Sequence, residues 1–206
     1  LQRRGYGTSA AIADLLEPPE APDPRRHFPD LGKAVQRLKQ ACKQQERLAI
    51  CGDYDADGMT STALLVGLLQ RLGAEAVAAI PSRQDDGYGL NVAMVERLAA
   101  EGIRLLVTVD NGIASLEGVA RAKSLGMQVL VTDHHLPAVL AGAIVLPDAD
   151  VIVNPNQPGC GFESKALAGV GVMFYVLLAL RAELRSRGRF DAASQPRLDA
   201  LLDLVA

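Results

Sequence analysis

Three short stretches of the sequence carry carboxylate and imidazole groups at a spacing that suits metal chemistry. Gly52-Asp-Tyr-Asp-Ala-Asp-Gly58 puts Asp53, Asp55 and Asp57 on alternate residues. Asp110 opens a second stretch with Asn111 and Gly112, and Asp133, His134 and His135 form a third. Carboxylates gathered in one crevice repel each other and raise one another's pKa. A divalent cation removes that conflict, and oxygen ligands with one imidazole suit manganese or magnesium better than zinc. Two ions bridged by a shared carboxylate, for which Asp110 is the candidate, sit about 3.5–4 Å apart and stabilise the attacking and leaving oxygens of an in-line phosphoryl displacement. The chemistry expected is metal-assisted hydrolysis of a phosphoester.

Each stretch also has a plainer reading. Carboxylates at the start of a helix are favoured by its dipole, so GDYDADG alone is a sensible acidic turn. Asp110 with Asn111 and Gly112 reads equally as a tight turn. His134 and His135 could be an ordinary partly buried pair. A calcium loop starting at Asp53 fails on its twelfth position, which must supply a bidentate glutamate and is Leu64. What favours a site is that all three stretches follow short apolar runs, and so fall at strand ends.

The elements that must position these residues follow from the hydrophobic pattern. Apolar runs at Leu48 to Cys51, Ala76 to Ile80, Leu105 to Val109 and Val129 to Val131 read as strands, with residues 143–146 or 151–153 as a fifth. Between them lie helical stripes: Leu64, Leu65, Leu68, Leu69 and Leu72 before Gly73; Val95, Leu98 and Ala99 before Gly102; and Leu116, Val119 and Leu125 before Gly126, with Ser115 as N-cap. An earlier helix places Leu31, Val35, Leu38 and Cys42 on one face, with Asp30 as N-cap. Later helices are expected from about Leu167 to Arg187 and from Pro196. Strands that are apolar throughout, alternating with helices, predict an α/β fold: a mostly parallel sheet with helices on both faces.

In such a sheet ligands bind outside the carboxyl ends of the strands. Asp53, Asp55, Asp57, Arg83, Asp110, Asp133, His134 and His135 are therefore expected to converge from four strand ends. Arg83 either binds a phosphate or pairs with Asp85 or Asp86. Tyr88 either stacks on a base or packs on its loop. Gly169 and Gly171 either let a helix N-terminus approach a phosphate or serve close helix packing.

The bounds are broad. The chain has 206 residues and a formal net charge of -3, so a nucleic-acid contact has to come from a local groove or a metal site. Three cysteines without a C-x-x-C pair read as reduced thiols. The longest apolar run, Val170 to Leu180, is too short to span a bilayer. No secretory signal opens the chain, and the expected location is cytoplasmic. Residues 1–29 read as a lead-in with a short helix and a proline-rich stretch, and residues 30–206 as one domain.

With GDYDADG, VTVDNG and VTDHH in that order, the chain resembles the DHH phosphoesterase superfamily. PSRQDDGYGL, TDHHLP, NPNQPGCGF and KALAGVGVMFYVLLALR resemble more narrowly its RecJ branch of single-strand-specific 5′ to 3′ exonucleases. The resemblance implies that Asp55, Asp57, Asp110 and His134 are metal ligands, with Asp53 beside them, and that His135 contacts the scissile phosphate. It implies manganese or magnesium as cofactor and release of 5′-mononucleotides from single-stranded DNA in recombination and repair. A single-strand-binding protein and a helicase are the implied partners of a monomeric enzyme with no membrane contact. Cys51 stands where other branches carry a histidine ligand. By the same resemblance, a block like LGTVADV with a further aspartate ligand and a second, DHHA1-type domain are expected beyond LLDLVA, so the chain by itself should bind metal incompletely and be weakly active or inactive. The rival readings are a small-molecule or short-oligonucleotide phosphoesterase of the same superfamily, a non-catalytic replication scaffold, and a phosphate-accepting receiver domain. The receiver needs a lysine at its fifth strand end, and none stands beside AIVL or VIV.

Overall fold

The computed structural model describes Arg3, residues 7–16, Asp23 and residues 27–81, 89–191 and 193–205. Five parallel strands form the sheet: β1 (Arg47–Cys51), β2 (Glu75–Ala79), β3 (Leu105–Val109), β4 (Gln128–Thr132) and β7 (Val151–Val153), in the spatial order β2-β1-β3-β4-β7. Alternate residues of each strand feed opposite layers, as a period of two requires. Leu48, Ile50, Leu105, Val107, Leu130, Val151 and Val153 pack with α2 (Leu31–Gln44), α3 (Ala56–Arg71) and α6 (Gly169–Ser186). Ala49, Cys51, Leu106, Val129, Val131 and Ile152 pack on the other face with α4 (Val92–Ala100) and α5 (Leu116–Ser124). The sheet is thus covered on both sides, and this is why its strands read as continuous apolar runs.

The chain leaves β1 for β2 on one side and returns to β3 on the other. The order reverses between β1 and β3, and the carboxyl end of that gap is where such sheets bind ligands. Asp53 and Asp55 follow β1, and Asp110 follows β3.

Several elements differ in detail from the sequence expectation. Of the two candidates for the fifth strand, Val151–Val153 joins the sheet against β4. Ala143–Val145 (β6) instead pairs antiparallel with Ala138–Leu140 (β5) in a separate hairpin. Asp30 does not cap α2 with its side chain. Its Oδ2 accepts from the Ile152 amide at 3.2 Å, tying α2 to β7. Ser115 makes no capping bond to α5. The last element is a 3-10 helix, Asp199–Leu204, where an α-helix from Pro196 was expected. The lead-in helix is α1, Ser9–Leu16. No described helix is long and apolar enough to cross a membrane.

Candidate metal centre

The first acidic stretch folds as the link from β1 into α3. Asp55 is the N-cap of α3, and its Oδ1 accepts from the Gly58 amide at 2.9 Å. Asp53 is 3% exposed, and its Oδ1 accepts from the Tyr54 amide at 2.6 Å. The first turn of α3 lies directly against Asp53. A Cβ on Gly58 would stand 2.6 Å from the Asp53 backbone nitrogen, so only glycine fits there. Asp57, in that same turn, reaches across to the start of α6. Its Oδ2 accepts from the Gly169 amide at 2.8 Å and its Oδ1 from the Val170 amide at 2.6 Å. A carboxylate on the positive end of a helix dipole is stabilised there.

Asp110 leaves β3 in the left-handed region, with φ of 61°, which aspartate and asparagine tolerate better than most residues. The neighbouring Asn111 holds this corner. Its Nδ2 donates to the Cys51 carbonyl at 3.0 Å and the Val109 carbonyl at 2.9 Å, joining the ends of β1 and β3. The Asp110 side chain is buried, and its Oδ1 accepts no hydrogen bond. His134 Nε2 lies 3.0 Å from that oxygen, an ion-pair contact outside hydrogen-bonding geometry.

Asp133 has a different role from the other acids. Its Oδ1 accepts from the amides of His134 and His135 at 2.7 and 3.1 Å and meets His135 Nδ1 at 2.8 Å. Its Oδ2 accepts from the Ile113 amide at 2.9 Å. Both oxygens are therefore committed to shaping the turn and orienting the His135 ring. The bond to Asp133, with Asp110 and Asp53 adding to it against the effect of burial, pushes the His135 pKa up to about 9. The contact with Asp133 thus favours the protonated form of the His135 ring.

The clustered ligand atoms fall into two overlapping groups. Asp53, Asp55 and Asp110 offer one atom each within 4.8 Å of one another, and so do Asp110, His134 and His135. Asp110 belongs to both, so it is the residue that would be shared if each group held an ion. Asp57 stands at the edge, with Oδ2 3.7 Å from His134 Nε2. Burial first, and then the charges of Asp57 and Asp55, push the Asp110 pKa up to about 8. An unpartnered buried carboxylate oxygen, crowded by like charge and facing an imidazole, is a donor set that a hard or borderline divalent cation fits. Cys51 lies in neither group; it is buried in the apolar layer, and burial pushes its thiol up to about 12.

Of the expected site residues, Asp53, Asp55, Asp57, Asp110, His134 and His135 come together at one rim. Arg83 and Tyr88 lie outside the described residues. At Gly169 the helix amide meets Asp57, and a Cβ would stand 2.5 Å from Asp110 Oδ1. At Gly171 a Cβ would stand 2.6 Å from Leu167 Cδ1, so this glycine serves close packing. Asn154 and Asn156, read from sequence only as parts of a turn-rich loop, reach the histidines: Asn154 Nδ2 donates to the His135 carbonyl and Asn156 Nδ2 to the His134 carbonyl. The signal that could have found them is their position just after one candidate for the fifth strand, on the same edge of the sheet. Beside His135 opens a cavity of about 550 Å³ whose apolar walls include Leu90, Ile113, Leu116, Ala138 and Leu140.

Comparison with known proteins identifies relatives of the chain and its fold. A single-stranded-DNA-specific exonuclease RecJ of Haemophilus influenzae is 51% identical over 175 residues, covering 84% of this chain and 30% of the relative. The chain thus spans 24–31% of the length of the curated relatives it matches. A crystal structure of exonuclease RecJ bound to manganese superposes with a TM-score of 0.72 at 32% identity, covering 86% of this chain and 42% of that one. RecJ of Thermus thermophilus in complex with Mn2+ gives a TM-score of 0.72 at 31% identity, covering 95% of this chain and 27% of that one. Residues 47–206 match the pattern of the DHH family, N-terminal domain, and with the parallel sheet and the Asp133-His134-His135 triplet at its rim, the chain belongs to the DHH family.

Proposed function

We propose that this chain carries the catalytic centre of a metal-dependent exonuclease that hydrolyses single-stranded DNA from the 5′ end to 5′-mononucleotides. The observation that carries the reading is the pair of ligand groups sharing Asp110, whose buried Oδ1 has no hydrogen-bond partner. Its likeness to the single-stranded-DNA-specific RecJ exonucleases supplies the substrate. The manganese- and magnesium-bound RecJ structures supply the cofactor, Mn2+ or Mg2+.

When bound, the cations supply Lewis acidity and an activated water for displacement at phosphorus. Asp55, Asp57, Asp110 and His134, with Asp53 beside them, are the groups that would hold them. Asp57 stands at their edge, and its hydrogen bonds to α6 fix the distance between that helix and the centre. His135, whose protonated form is favoured by Asp133, would present a donor to the scissile phosphate. The apolar cavity next to His135 has room for a nucleoside, since small-ligand sites begin at roughly 300 Å³. A single-strand-binding protein and a helicase are the partners this reading implies, with the enzyme acting as a monomer in the cytoplasm.

The test is a comparison of substrates in Mn2+: 5′-phosphorylated single-stranded DNA, the matching duplex, and a dinucleotide. The single strand is expected to be degraded fastest, and Asp110→Asn and His134→Ala to abolish hydrolysis and Mn2+ binding. Equal turnover of the dinucleotide would move the substrate class to short oligonucleotides. Retained Mn2+ binding in both variants would refute the metal centre itself.

A further inference from the structure

The segment that follows β7 touches both halves of the metal centre. At its start, Asn154 is fully buried and donates to the His135 carbonyl at 3.0 Å, while its Oδ1 accepts from the Asn156 amide at 2.6 Å. Asn156 then uses both hydrogens of one amide nitrogen, donating to the His134 carbonyl at 2.5 Å and to the Lys165 carbonyl at 3.2 Å. Lys165 closes the loop on itself, with Nζ donating to the carbonyls of Pro155 at 2.6 Å and Cys160 at 3.0 Å. At its far end the segment becomes α6, whose first amides bind Asp57 and whose Gly169 lies against Asp110.

We propose that residues 154–170 form a bracket that sets the spacing between the imidazole side of the centre, His134 and His135, and its carboxylate side, Asp57 and Asp110, with Asn156 and Lys165 as positioning residues. This deepens the metal reading above and rests on it. The proposed role is positioning: the Asn156 Nδ2 and the Lys165 ammonium have no lone pair to offer a cation, and both donate to backbone carbonyls. Partly exposed Asn156 has water available as an alternative, so its two bonds are not forced by burial. They define geometry: the amide ties the backbone of a metal-ligating histidine to the loop that leads into α6. Groups that orient ligands in this way affect metal affinity by about 10–100-fold when removed.

The experiment measures Mn2+ affinity by titration calorimetry in the native protein, Asn156→Ala, Lys165→Met, Lys165→Arg and Asp110→Asn. It adds imidazole 1H–15N spectra of the metal-free proteins. Asn156→Ala and Lys165→Met are expected to bind Mn2+ about 10–100-fold more weakly. Lys165→Arg, which keeps donors for the carbonyls, should bind more nearly as the native protein does. The His134 and His135 resonances should move in Asn156→Ala without metal, while circular dichroism stays native. Lys165 is exposed, so its variants test the idea even if Asn156→Ala folds poorly. Native affinity in Asn156→Ala and Lys165→Met, with binding lost in Asp110→Asn, would overturn the bracket and leave the metal centre standing. Full binding in Asp110→Asn would overturn both.

Discussion

Replacing Asp110 by asparagine should stabilise the metal-free protein while removing its response to metal. Asp110 has an ordinary carboxyl in the unfolded chain, near 3.8, and one pushed up to about 8 in the folded protein. The folded state therefore binds the extra proton, and the contribution of this group to stability is fully present below about pH 4 and is lost as the pH rises through about 8. At pH 7 the difference spans roughly three pH units, which at about 1.36 kcal/mol each gives roughly 4 kcal/mol; the high effective dielectric even of buried sites reduces this to about 2 kcal/mol. Asparagine carries no such penalty, accepts the left-handed backbone that Asp110 adopts, and gives up at Oδ1 the 3.0 Å contact with His134 Nε2 but no hydrogen bond. A protein of this length shifts by about 2–4 °C per kcal/mol, so Asp110→Asn should melt about 4–8 °C higher at pH 7 without metal. The gap should close by about pH 4. Mn2+ at 100 times its dissociation constant should then raise the native protein by about 2.7 kcal/mol and leave the variant unmoved, which reverses their order. Differential scanning calorimetry with chelator and with Mn2+ at several pH values reads all of this. A variant less stable than native at pH 7 without metal, or a gap independent of pH, would refute the account of Asp110 as a crowded, unpartnered carboxyl.

Other consequences can be measured separately. Gly169→Ala places a methyl 2.5 Å from Asp110 Oδ1 and should cost about 1–3 kcal/mol in urea unfolding, with weaker Mn2+ binding; unchanged affinity would show that α6 can shift away freely. Asp133→Asn removes the main cause of the raised His135 pKa, so an NMR titration should find it well below about 9. Because the His135 contribution is present below about pH 6.5 and is lost through about 9, native stability should fall over that window and the variant's should fall less. Leu65→Ala, in the layer under α3, should cost about 2–5 kcal/mol by urea denaturation, and a smaller loss would mean that the layer relaxes into the gap.

The sheet was legible because its strands are buried on both faces, so runs such as Leu105–Val109 stand out without alternation. The fifth strand was not, because AIV and VIV are locally equivalent and only pairing with β4 separates them. Strand order likewise depends on contacts between distant segments. The acids and histidines were legible through their position after apolar runs. Their division of labour was hidden, since nothing local tells Asp133, which spends both oxygens on amides and His135, from Asp110, which has an oxygen to spare. The same holds for Asp57, whose partners at Gly169 and Val170 lie more than a hundred residues away. Asn154 and Asn156 looked like turn formers, and their side chains gain meaning only once β7 is set beside β4.

The switch point between β1 and β3 also bears on how the protein matures. Its cation-holding groups come from three separate crossovers, so no early, local fragment of the chain can trap an ion productively. Parallel strands assemble late, because their contacts span long loops. Capture of the ion should therefore coincide with the final step of sheet assembly, which makes ion uptake a timer for completed folding and a brake on unravelling thereafter.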